Sequence, residues 1–125
     1  MDDEPPPVPR IVVQSEEAYE AVRAISHLPF MSIPGPVVYD VLGNLKLVGS
    51  LLRQVCEQIS DGLGASLKDY EVYEADGEDP AVRVAETRTY LAVAALLATD
   101  LGEELSKAQS AVACQGFRTV DPAED

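Results

Sequence analysis

Two long runs of apolar residues, spaced alternately three and four apart, dominate this sequence. A proline stands near the start of each and a glycine at the end. Val38, Val41, Leu45, Val48, Leu52, Val55 and Ile59 follow Pro36 and run out at Gly62 and Gly64. Val84, Leu91, Ala94, Ala98, Leu101, Leu105, Ala108 and Val112 follow Asp79-Pro80, with Thr87 completing the spacing, and run out at Gly116. That spacing marks one face of an α-helix and resembles a coiled-coil seam. Proline fits the first helical position, Asp79 suits an N-cap, and glycine suits a stop. The pattern predicts helices over about 36–61 and 79–115. Val37, Leu42, Leu51 and Cys56 widen the first stripe, and Lys46, Ser50, Arg53, Gln54, Glu57 and Asp61 fill the opposite side. Glu103 and Lys107, four apart, suit an ion pair on the outside of the second helix.

The rest of the chain is subordinate to these two elements. Ser15 as cap, followed by Glu16 and Glu17 and by Ala18, Tyr19, Val22 and Ile25, predicts a short helix over 15–28 that Pro29 stops. Residues 1–14 read as a flexible proline-rich arm. Pro5, Pro6, Pro7 and Pro9 disfavour helix, Pro6 to Pro9 match PxxP, and Ile11-Val12-Val13 suggest a short extended piece. Residues 29–36 form a rigid irregular connection, and 62–78 an acidic one with a turn at Asp76-Gly77. Residues 117–125 read as a flexible tail. A chain of 125 residues is one domain by length. The fold class is all-α: an antiparallel hairpin of two long amphipathic helices plus a short N-terminal helix, in one helical domain over 15–116.

Apolar residues cover about half the circumference of the first long helix, at 100° per residue. A neighbouring helix hides only the strip it touches. The alanines of the second helix should let the backbones approach, with Leu and Val of the first filling the space. Surplus apolar surface of this kind marks an interface. A homodimer closing a four-helix bundle is the simplest completion. A helical protein partner is the rival, and a monomer finished by the N-terminal helix is the third possibility. Leu45, Leu51, Leu52, Val93 and Leu96 are the candidate interface residues.

The net charge of −13 argues against direct nucleic-acid binding and against docking on an anionic membrane. Residues 65–79 hold six acids against Lys68, or −5. This cluster supports an alternative reading, an antitoxin-like or nucleic-acid-mimicking inhibitor that masks a basic surface through Asp69, Glu71, Glu74, Asp76, Glu78 and Asp79. No run approaches the ~18 apolar residues of a membrane span, and Met1-Asp2-Asp3-Glu4 is unlike a secretory signal, so a cytoplasmic location is expected. The bias toward Ala, Val, Asp and Glu suits a GC-rich bacterial source or one of its mobile elements. With helices ending near 61 and starting near 79, Cys56 should lie opposite Val84. Cys114 would then be about 45 Å away, beyond the reach of a disulfide.

Catalytic apparatus is hard to assemble from these residues. His27 is the single histidine, and spacing gives it no partner. A zinc site needs about four ligands of soft or nitrogen type, and only His27, Cys56 and Cys114 qualify. An EF-hand placed on Asp76-Gly77 would put Val72 first and Arg83 twelfth, where oxygen ligands are required. No phosphate-cradling glycine loop of GxGxxG or GxxxxGK[ST] form occurs. The expectation is a non-enzymatic protein without cofactor or metal. The hairpin resembles small secreted WXG-type proteins in length. There is no Trp for their Trp-x-Gly turn, however, and the Tyr70-to-Glu74 Tyr-x-x-x-Glu string follows the first long helix instead of the second.

Overall fold

The computed structural model describes residues 7–29 and 31–120. Three helices are present, α1 (Arg10–Ser26), α2 (Gly35–Asp69) and α3 (Pro80–Val112), and no strand occurs among the described residues. The chain divides after Ser32 into two compact units, one holding α1 and the other holding α2 and α3.

The N-terminal helix starts five residues before the expected Ser15. The carbonyl of Pro9 accepts the N–H groups of Val12 and Val13, so Pro9 is the cap. Ile11, Val12 and Val13, expected to be extended, form the first turn. The Ser15 hydroxyl instead donates backwards to the Val12 carbonyl at 2.7 Å, as serine does inside a helix. The helix ends at Ser26, and His27 supplies its C-cap. Of the expected flexible arm, residues 1–6 lie outside the described residues, as do 121–125 of the expected tail.

In the second unit, contacts between α2 and α3 pair rising with falling residue numbers. Gly35 meets Gln115, Gly43 meets Gln109, Gly49 meets Gly102, and Ser60 and Gly64 meet Arg88. The two helices therefore run in opposite directions. The crossing is at Gly49, where an added Cβ would stand 2.9 Å from the Gly102 Cα and 3.2 Å from the Ala98 carbonyl oxygen. Only the absence of side chains on both residues lets the backbones come this close.

Helix α2 passes straight through Gly62 and Gly64, where a stop near 61 was expected, and the acidic connection shrinks to residues 70–79. Glycine costs about 1 kcal/mol in a helix interior, and tertiary packing overrides a cost of that size. Gly64 leaves space for the Arg88 guanidinium, which bonds the Ser60 hydroxyl at 3.0 Å and reaches Asp61 at 3.4 Å. The longer helix changes the register. Cys56 lies in a groove with Leu91 and Ala92, about two turns past the expected Val84. Both cysteines are free thiols.

A Cβ added at Gly62 would meet nothing within 4 Å. Gly62→Ala should therefore raise stability by about 0.5–1 kcal/mol, seen as a higher urea midpoint at unchanged slope.

The start of α3 follows from its sequence. Asp79 accepts the Ala81 N–H at 3.0 Å, and Pro80 occupies the first turn. Before it, the Gly77 N–H donates to the Glu74 carbonyl, and Gly77 takes φ +82°, a conformation that favours glycine. The helix ends at Val112, three residues short of the expected 115. Lys107 pairs with Glu104 at 2.7 Å, in place of the expected Glu103. That hydrogen bond, then the Glu104 charge, raises the Lys107 pKa. Glu103 instead lines a groove with Lys46 and Arg53 of α2.

The fully buried part of the seam between α2 and α3 is built mostly of small groups. Its buried apolar side chains are Val84, Ala95 and Ala98, joined by the glycines of the crossing. Gln109 is the buried polar residue. Its Nε2 donates to the Tyr39 carbonyl at 3.1 Å, over the space that Gly43 leaves open. Gln109→Ala should cost about 2 kcal/mol from the lost bond and the cavity, measured by thermal and urea unfolding.

Candidate interaction surface

At about 100° per residue, each long helix has one strip in the seam and a shoulder on either side of it. On α2 the seam strip is Gly35, Val38, Leu42, Leu45, Gly49, Cys56, Ser60 and Leu63, all buried or half-buried. On α3 it is Val84, Leu91, Ala95, Ala98, Gly102 and Gln109. In an antiparallel pair, residues stepping the same way round each helix from the seam reach the same side of the pair. The two shoulders of α2 thereby join the matching shoulders of α3.

One resulting face carries most of the charged groups. A shallow groove of about 320 Å³ along it is lined by Lys46, Leu47, Ser50 and Arg53 from α2 and by Thr99, Gly102, Glu103 and Ser106 from α3. A second groove, of about 250 Å³, continues it past Glu57 and Asp61. Arg53 is held by Glu57 at 2.9 Å.

The other face is apolar. From α2 it receives Val37, Val41, Val48, Leu52, Val55 and Ile59, and all six are exposed. From α3 it receives Tyr90, Leu97 and Leu101, also exposed, with Ala94 among them and Leu105, Ala108 and Val112 continuing the strip. Leu97 is 63% exposed and Tyr90 69%. The apolar stretch covers roughly 23 residues of each helix, about 34 Å at 1.5 Å per residue. Its width is about 18–20 Å, one interhelical distance plus one helix diameter. The footprint is thus on the order of 650 Å², more than the ~300–600 Å² of the largest patch on a typical monomer. No Asp, Glu, Lys or Arg lies within the α2 strip from Val37 to Ile59. On α3 the charged groups of this side are Glu104, at the outer edge of the face, and Arg83 and Glu86 toward the connecting loop.

The five residues singled out from sequence do not form one patch. Leu45 is half-buried in the seam, and Leu52 is on the apolar face. Leu51 lies about 100° further round, at the outer edge of that face. Val93 points away from α2, and Leu96 is on the polar side of α3, 68% exposed. Missed as surface residues were Val41, Val48, Val55 and Ile59, which looked like core. Tyr90, Leu97 and Leu101 were missed as their continuation. The signal that could have found them is the line Gly35, Gly49 and Gly102. Close approach needs small residues, so the glycine line marks the middle of the seam, and side chains about a quarter turn from that line lie outside it.

The six acids assigned to the alternative surface are divided. Asp79 caps α3, and Asp76 accepts from the Glu78 N–H and from Arg83 at 3.1 Å. Both therefore serve the loop itself. Asp69 closes α2, while Glu71, Glu74 and Glu78 line the connection. Among the described residues, no group of three or more His, Cys, Asp or Glu side chains is placed to hold a metal ion, and no helix is long and apolar enough to cross a membrane.

No family model matches this chain, and the searches of curated proteins and of solved structures gave no significant match. The surface is therefore defined by its own geometry.

Proposed function

We propose that this chain is a non-enzymatic structural or adaptor protein that works by helix-helix association through the apolar face of the α2–α3 pair. The supporting observation is the row of large apolar side chains left outside the pair. The seam takes Val84, Ala95, Ala98 and the crossing glycines, with Leu42, Leu45 and Leu91 half-buried beside them, while Val48, Leu52, Ile59, Leu97 and Leu101 stay exposed. Exposed apolar surface of this extent, free of charge along α2, gains most by contact with another apolar helical surface. The free thiols Cys56 and Cys114 suit a reducing compartment, and so the cytoplasm.

Light scattering and pull-down across a salt series test this reading. Apolar association persists in 1 M NaCl, where the Debye length is about 3 Å. A complex that dissolves as salt rises would transfer the function to the acidic connection.

A further inference from the structure

We infer that the occupant of the apolar face is a second copy of this chain, stacked so that the connecting loop of each protomer lies at the opposite end from its partner's. This rests on the association proposed above and specifies its partner and geometry.

Area supports self-association. A footprint on the order of 650 Å² per protomer buries about 1,300 Å² in a pair, which clears the ~1,000 Å² expected of a specific interface. Position supports it too. The apolar stretch runs from Val37 to Ile59 on α2 and from Tyr90 to Val112 on α3, and its midpoints, Val48 and Leu101, each stand one residue from the Gly49–Gly102 crossing. A two-fold interface must match itself, and a patch centred on one point does so about an axis through that point.

Charge selects the orientation. Residues 65–79 carry −5. With the loops at the same end, two such clusters would sit about 10 Å apart, across one interhelical layer. With the loops at opposite ends they are separated by about 65–70 Å, at 1.5 Å per residue. That separation is many Debye lengths, so the repulsion vanishes. The same stacking leaves the loop end of each pair, with Arg83 and Glu86, overhanging its partner, where polar groups need no cover.

The test uses the full chain. Light scattering should give twice the 13.4 kDa of one protomer. In a Cys56→Ser, Cys114→Ser background of the same mass, nitroxide on Tyr73→Cys should report a spin-spin distance of about 65–70 Å. In that background Val48→Cys, next to the axis, should cross-link to its own copy on mild oxidation. A short loop-to-loop distance without the Val48→Cys cross-link overturns the orientation. A monomeric mass overturns the inference. If that monomer binds another helical protein and Leu52→Glu abolishes the binding, the association reading survives alone. If the monomer is indifferent to Leu52→Glu, both fall.

Discussion

Leu52→Glu is expected to convert the associated protein to a monomer while leaving each helix pair folded. Leu52 is 44% exposed on the apolar face, so its loss costs the isolated protomer little. In the complex, its carboxylate would be carried into a surface with no cation along α2 to meet it. Burying an unpaired charge costs several kcal/mol, and a two-fold interface incurs that cost at both copies. A loss of about 4 kcal/mol raises the dissociation constant about a thousandfold. Sedimentation or light scattering across a concentration series measures the shift. Leu96→Glu, on the polar side of α3, is the control and should change affinity by no more than about 0.5 kcal/mol. Equal effects from the two variants would mean that the apolar face is misassigned.

The second large effect is at the helix crossing. Gly49→Leu is expected to cost about 3 kcal/mol or more of unfolding free energy. Any Cβ at Gly49 meets backbone, the Gly102 Cα at 2.9 Å and the Ala98 carbonyl oxygen at 3.2 Å, and backbone cannot turn aside as a side-chain tip can. The helices must separate, and the contacts of Ala95 and Ala98 go with them. Helix propensity alone predicts the reverse, since leucine is the better helix former by nearly 1 kcal/mol. The sign of the change thus isolates packing from propensity. Circular dichroism melts of Gly49→Leu beside Gly62→Ala would show opposite shifts for two glycines in one helix.

Most of the architecture is legible in the sequence. The three-four spacing yields both long helices, and Asp79-Pro80 marks the start of α3. The end of α2 is not legible, because Gly62 and Gly64 look like a stop until Arg88 occupies the space beside Gly64. The first turn of α1 is also hidden, since Ile11, Val12 and Val13 favour extended backbone and Ser15 imitates a cap. Side-chain size misleads about the surface. Val41, Val48, Val55 and Ile59 lie on the same stripe as Val38 and Leu45, and only the position of α3 decides which of them face outward. A sequence shows which residues share a stripe, but the edge along which a partner lies depends on tertiary contact.

The glycine crossing also bears on how firmly the two long helices are fixed lengthwise. A shift of one helix along the other would bring a residue with a side chain to the point where only glycine fits, so the crossing itself acts as a notch. Two fastenings near the ends add to it, Gln109 on the Tyr39 carbonyl and Arg88 on Ser60 and Asp61. The 35-residue α2 is thereby held lengthwise at three places, a notch in the middle and a polar rivet toward each end.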